Sequence, residues 1–315
     1  MQQHTINTDY QVGPVHCYSG NIGGELVLFD TGPPTDEAQA CLREELDLSR
    51  LKHVVITHYH IDHCGLVSWL EKETDAYLYL PYRDTLKIEG HEERLEKLAE
   101  LLLRVGFDQS FLESFRRAMN NDEVFPQFPE RFLTVESDLP EHLGIEVIAC
   151  PGHSQSDLVL AGPDWAVTGD VLLRGIFQAP LLDIDLETGE RFRNYEAYCT
   201  TLIKLATLRG RRILPGHRDS IDSIDDTILF YVGKLLDRAA QQKQFSRKES
   251  VAQIVGQLFG SGQGHPFHYY LKASEVVFMR DLMHCPELLR SSLERIGLFE
   301  PVSEKFLQTA YASTT

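Results

Sequence analysis

Long apolar runs are missing from this chain: no stretch among its 315 residues approaches eighteen consecutive apolar side chains, which excludes a membrane-spanning helix on hydropathy. Met1-Gln2-Gln3-His4 has neither the basic nor the apolar region of a secretory leader, so no membrane association and a cytoplasmic location are expected. Cysteine is sparse. The six, at positions 17, 41, 64, 150, 199 and 285, are irregularly spaced with no C-x-x-C pair, which argues against a dense disulfide framework and predicts free thiols. Positive charge is in short supply: 30 Lys and Arg face 47 Asp and Glu, for a formal net charge of −17. A nucleic-acid surface needs a basic patch to release counterions, so no nucleic acid is expected as partner. G-x-S-x-G elbows, Walker loops, internal repeats and low-complexity tracts are absent too, which leaves serine-nucleophile and P-loop chemistry without a motif.

What is present is 43% hydrophobic content, enough for one large core or a core with an accessory part, and one unusual stretch. Val54-Val55-Ile56-Thr57-His58-Tyr59-His60-Ile61-Asp62-His63-Cys64-Gly65 runs from a buried-strand pattern directly into three histidines and an aspartate. At this chain's histidine content, H-x-H-x-D-H arises by chance roughly once in a thousand such sequences, so a metal-ligand reading outweighs polar loop residues. Side chains alternate along an extended segment, so His58 and His60 can grip one cation while the turn offers Asp62 and His63 to a second point nearby. Imidazole and carboxylate suit zinc first, and also iron or manganese. Cys64 reads as a packed thiol rather than a ligand.

The stretch resembles the ligand motif of the metallo-β-lactamase fold superfamily. That resemblance implies further ligands downstream, each at a strand end. Pro151-Gly152-His153 follows Ile145 to Cys150, Thr168-Gly169-Asp170 follows Trp165-Ala166-Val167, and Ile213-Leu214-Pro215-Gly216-His217 repeats the form. The family pattern then implies His58, His60 and His153 at one metal, Asp62, His63 and His217 at the other, and Asp170 bridging. Phe29-Asp30-Thr31-Gly32 matches the family's early turn, whose aspartate orients ligands.

The implied fold is α/β, an αββα metallo-β-lactamase sandwich over residues 1–220, with a helical insert at about 82–133 and a helical C-terminal region, 221–315, packed on it. Gly13 to Leu28 reads as a hairpin that resembles the edge pair opening the family's first sheet, Thr35 to Leu48 as a capped helix, and Ala76 to Leu80 as a strand. In the insert, His91–Val105 and Ser110–Met119 read as amphipathic helices, the second stopped by Asn120-Asn121-Asp122. The insert is a candidate lid. Its Phe107, Phe111, Phe115, Phe125, Phe128 and Phe132 could meet an apolar ligand, although any one of them more often serves to hold the insert down. Asp183-Ile184-Asp185-Leu186-Glu187 reads as a solvated acidic cluster. In the tail, helices are expected at Asp225–Gln244, Ser250–Phe259 and Ser274–Ile296, with a flexible break at Gly260–Gly264. His265–Tyr270 after that break is a candidate pocket lining.

By resemblance the chain is a dinuclear metal-dependent hydrolase in which a metal-bridging hydroxide attacks a small ester, thioester or related acyl substrate, with Asp62 exchanging the proton. The segment from Asp170 to His217 is too short for the insert of the RNA-processing branch. His60 stands where flavodiiron proteins carry glutamate. The overall arrangement is closest to thioesterase-like and lactamase-like cytoplasmic members. A phosphodiesterase is the enzymatic alternative, and a non-catalytic binding or regulatory protein that keeps the metal site is the other. The expected partner is a small-molecule substrate, with a homodimer open as the assembly.

Overall fold

The computed structural model describes residues 1–10, 12–119, 128–178, 180–245, 248–260 and 265–311. Its first sheet joins β1 (Gln2–Ile6), β2 (Val15–Ile22), β3 (Glu25–Phe29), β4 (Leu51–Val55), β5 (Tyr77–Leu80) and β6 (Leu133–Thr134) in that spatial order. The second joins β10 (Arg212–Pro215), β9 (Trp165–Gly169), β8 (Leu158–Ala161) and β7 (Glu146–Ala149). Between them run α1 (Asp36–Glu45), α2 (Ile61–Cys64), α3 (Val67–Glu73), α4 (Tyr82–Glu89), α5 (His91–Arg104), α6 (Gln109–Met119), α7 (Val135–Asp138) and α8 (Asn194–Ala206). After β10 come α9 (Ile224–Gln242), α10 (Val251–Phe259), α11 (Pro266–His284), α12 (Pro286–Ile296) and α13 (Ser303–Tyr311).

Strand alternation builds the layers. Val27, Phe29, Val55 and Tyr79 point from the first sheet onto Leu158, Leu160, Val167 and Leu214 of the second, while Leu28, Val54, Leu78 and Leu80 point the other way onto Leu42, Val67 and Leu70 of α1 and α3. The far face of the second sheet is covered by Leu202 and Leu205 of α8 and by Ile228, Val232 and Leu235 of α9. The architecture is therefore αββα. β3, β4 and β5 run parallel, as do β9 and β10, so several strands deliver their C-terminal ends to one edge of the sandwich. Among the described residues, no helix is long and apolar enough to cross a membrane. All six cysteines are free.

Several expectations change. The hairpin of β2 and β3 is not the sheet edge, because β1 pairs outside it, antiparallel to β2. The insert carries a third helix, α4. Ser274–Ile296 is not one helix: α11 begins earlier, at Pro266, and ends at His284, and Pro286 starts α12 in the first turn, where its missing N–H costs nothing. His265, whose ring accepts from the Phe267 N–H, caps α11, and Pro266–Tyr270 form its first turn. The acidic cluster is not wholly solvated either, since Asp183 is 4% exposed and held by Arg94. The Asn120–Asp122 stop, Phe125 and most of the expected break, residues 261–264, lie outside the described residues.

The insert docks on the tail. Leu98, Leu102, Leu112 and Phe115 share a cluster with Val251, Val255, Tyr270 and Val276 of α10 and α11, and Phe111 and Phe115 meet the rings of Tyr269 and Tyr270.

Candidate metal centre

β4 ends at Val55 and the chain bends at Thr57 and His58, so His58 and His60 emerge past the strand end before α2 carries Asp62 and His63. Asp30 sits at the end of β3 in the left-handed region, φ 58°, a conformation that aspartate tolerates better than most residues. From there its Oδ1 accepts from Thr57 N at 2.8 Å, and its Oδ2 from Thr57 Oγ1 at 2.9 Å and from His63 Nδ1 at 2.9 Å. Thr57 Oγ1 also lies 3.1 Å from His58 Nδ1. One buried carboxylate thereby orients two ligand rings. His217 Nδ1 donates to Pro14 O at 2.8 Å, which turns its Nε2 inward.

The seven expected ligands come together in two groups, His58, His60, His153 and Asp170 in one and Asp62, His63 and His217 in the other, each with its ligand atoms within 4.8 Å of one another. Asp170 faces both: its Oδ1 lies 3.3 Å from His63 Nε2 and 3.6 Å from His217 Nε2, and its Oδ2 lies 4.0 Å from His58 Nε2. Asp62 Oδ2 is 3.3 Å from His217 Nε2, and His153 Nε2 is 3.3 Å from His60 Nδ1. Close packing requires glycine here, since a Cβ on Gly216 would stand 2.6 Å from His63 Cε1.

Four atoms test whether cations fit. His58 Nε2, His63 Nε2, His217 Nε2 and Asp170 Oδ1 are buried and have no hydrogen-bond partner, the 3.3 Å approach of His63 to Asp170 being poorly aligned. Orphaned buried polar atoms cost roughly 1–3 kcal/mol each. Four converging on one space fit the donor set of a metal site. Electrostatics agrees: burial and neighbouring imidazoles push His58 well down and His60 down to about 3, so both keep their lone pairs. Burial favours the neutral acid of Asp62 and Asp170, yet His63 beside them holds both below the ordinary carboxylate range. Burial likewise opposes a charge on His63, but Asp170, Asp62 and Asp30 raise it well above the usual imidazole. A cation held at His63 requires the neutral ring, so metal uptake there would be coupled to pH.

Three further participants carry no sequence signal of their own. Gln178 Nε2 donates to Asp170 Oδ2 at 2.7 Å from an irregular segment. Asp84 Oδ2 accepts from Tyr59 N, between His58 and His60, at 2.9 Å. Tyr198 lines a cleft beside His153 and Asp170 whose walls include Val171, Phe177 and Phe278, and its buried hydroxyl has no hydrogen-bond partner. Cys64 is a packed thiol, with Sγ against His60 O at 3.1 Å.

Residues 10–217 match the family model described as the metallo-beta-lactamase superfamily. The probable metallo-hydrolase YqjP of Bacillus subtilis is 27% identical over 309 residues, spanning 92% of this chain and 93% of that protein. In fold, the chain is similar to a metallo-beta-lactamase family protein of Thermus thermophilus (TM-score 0.68, 19% identity, 89% of this chain and 93% of that one). It is also similar to a beta-lactamase domain protein of Burkholderia ambifaria (TM-score 0.64, 18% identity, 90% and 86%).

Proposed function

Because this chain belongs to the metallo-beta-lactamase superfamily and is a metal-dependent hydrolase, we propose that it holds two divalent cations and cleaves a small ester, thioester or related acyl substrate. The observation that carries the reading is the set of four buried, partnerless ligand atoms, His58 Nε2, His63 Nε2, His217 Nε2 and Asp170 Oδ1. Nitrogen and carboxylate donors without a thiolate support zinc, with iron or manganese also accommodated. Bound there, the cations supply Lewis acidity, lowering the pKa of water and polarising the bond that is attacked.

The protein side of the reaction falls to a few groups. Asp62, its side chain 14% exposed and close to His217, can take a proton from the attacking water and return it to the leaving group. Gln178 steadies Asp170 so that the carboxylate addresses both positions. Burial keeps the Tyr198 phenol protonated by raising it well above its ordinary range, so it serves as a donor to a substrate oxygen among apolar walls. That cleft has about 20 Å³ of free space, room for one water, so it favours the small end of a substrate. The bulk would lie on the open side, where His60, Asp62 and His153 are partly exposed and Tyr10, 40% exposed, stands near Asp62.

The test is turnover of purified, zinc-replete protein on three probes: a short acyl-CoA thioester, a lactone and bis-p-nitrophenyl phosphate. Acyl cleavage that falls at least about a hundredfold in Asp62→Asn is expected, the scale typical of a positioned acid–base group. Cleavage of the phosphodiester alone would replace this reading with the phosphodiesterase. No turnover on any probe, with cations bound, would favour a binding protein.

A further inference from the structure

The two ligand groups are braced by different parts of the molecule. Asp30 holds His63 directly and His58 through Thr57, and Pro14 O holds His217. None of these contacts reaches the rings of His60 or His153. Their main chain is held locally, His60 O accepting from His63 N and Cys64 N at 2.9 Å and His153 O from Leu181 N at 2.8 Å, and the insert adds a tie between the two segments. Asp84 is 1% exposed in the first turn of α4, and its Oδ2 accepts the Tyr59 N–H at 2.9 Å, immediately before His60. Its Oδ1 accepts from Lys87 Nζ at 2.8 Å, one helical turn on, and the same Nζ donates to Ser156 Oγ at 3.2 Å. Ser156 Oγ lies 3.0 Å from Ser154 Oγ, next to His153, and Ser154 Oγ donates to Asp157 at 2.7 Å. A single ion pair on α4, its carboxylate buried and its ammonium partly so, thus ties the segment carrying His60 to the segment carrying His153.

We infer that Asp84 and Lys87 are positioning residues for the cation held by His58, His60 and His153, acting through Tyr59 and Ser156, whereas Asp30 braces His63 directly and His58 through Thr57. Their hydrogen bonds go to the chain beside the ligand rings, so their effect is on where the rings stand. A carboxylate that fixes a backbone N–H beside a ligand removes rotational freedom that a cation would otherwise have to remove on binding, and outer groups of this kind are commonly worth roughly ten- to a hundredfold in metal affinity. The pair also gives the insert a role at the centre without covering it: α4 carries the carboxylate that meets the chain before His60, while the apolar faces of α5 and α6 pack on the tail.

The inference rests on the two-cation reading, and zinc content of full-length protein dialysed against buffered free zinc separates the two. Wild type should retain about two ions per chain, and Asp84→Asn and Lys87→Met about one, with affinity for the lost ion down roughly ten- to a hundredfold by chelator competition. His217→Ala, which removes a ligand of the Asp62 and His63 position only, should also retain one ion, the other one. The Asp84→Asn/His217→Ala double variant should therefore retain none, with circular dichroism reporting that it is folded. A folded double variant that still holds one ion overturns the inference, since both residues would then serve the same position. Asp84→Asn and Lys87→Met proteins with wild-type content and affinity overturn it too. A wild type that holds a single ion refutes the two-cation reading itself. Should Asp84→Asn not fold, Lys87→Met, which leaves the Asp84 acceptor for Tyr59 in place and removes both the ion pair and the link to Ser156, decides alone: wild-type affinity there overturns the inference.

Discussion

Arg94 Nε donates to Asp183 Oδ1 across 2.7 Å, with both side chains under a tenth exposed, and Gln155 Nε2 donates to the other carboxylate oxygen at 2.8 Å. Burial opposes ionisation of Asp183, but Arg94 and then Lys87 hold it below its ordinary value of 3.8. A depressed folded-state pKa means the pair stabilises the protein above that ordinary value and loses its contribution as pH falls through the lower, folded one. Asp183→Asn should therefore cost about 3–5 kcal/mol at pH 7, because it leaves the guanidinium buried without its counter-charge. In urea titrations the gap to wild type should hold from pH 7 to 5 and close only below the ordinary carboxylate value; a gap already closing at pH 6 would contradict the assignment. In sequence, Asp183 is one acid among several and its partner lies 89 positions away, so charge alone reads as solvation. The metal ligands are legible for the opposite reason: scarce residue types recur at strand ends in a spacing that few other constraints produce. Gln178, Asp84 and Tyr198 are ordinary residues in ordinary places, and only their neighbours in space reveal them.

At the scale of elements, α6 shows how the insert is fixed. Phe115 is fully buried, 5.1 Å from the Tyr270 ring of α11 and 6.2 Å from Phe111. Phe115→Ala should lower stability by about 3–5 kcal/mol, the usual range for an aromatic deleted from a packed core. If α6 is instead a loosely held flap, thermal unfolding will move little. The strongly periodic elements, α1, α5, α6, α8 and α9, can be located from spacing and caps, such as the Thr35 side chain accepting from Ala38 N. β1 cannot. Gln2-Gln3-His4-Thr5-Ile6 buries only His4 and Ile6, and it is a strand because β2 offers an open edge, not because of its composition. α11 and α12 read as one helix in sequence because apolar spacing continues across Cys285 and Pro286, where the structure breaks the helix in two.

At the scale of the molecule, the tail and the sandwich share a core. Leu202, Leu205 and Ile213 lie in one cluster with Val232, Leu236, Phe278, Leu289 and Phe306, and Tyr231 Oη donates to Leu173 O at 2.9 Å, close behind Asp170. A chain ended after residue 220 should therefore bind an apolar dye, unfold at lower temperature and lose turnover. A soluble fragment with unchanged turnover and a sharp melt would show the tail to be an appendage. One more feature bears on how the protein comes to exist. His217 bridges to Val15, and its ring is held by Pro14 O, 203 positions earlier in the chain. On the ribosome, the histidines of the H-x-H-x-D-H segment emerge long before that closure can form, and closing so large a loop is opposed by chain entropy until strands pack around it. The seven candidate ligands are therefore brought together only after the chain has emerged through His217 and the strands have packed, so the order of synthesis sets when the site can be complete.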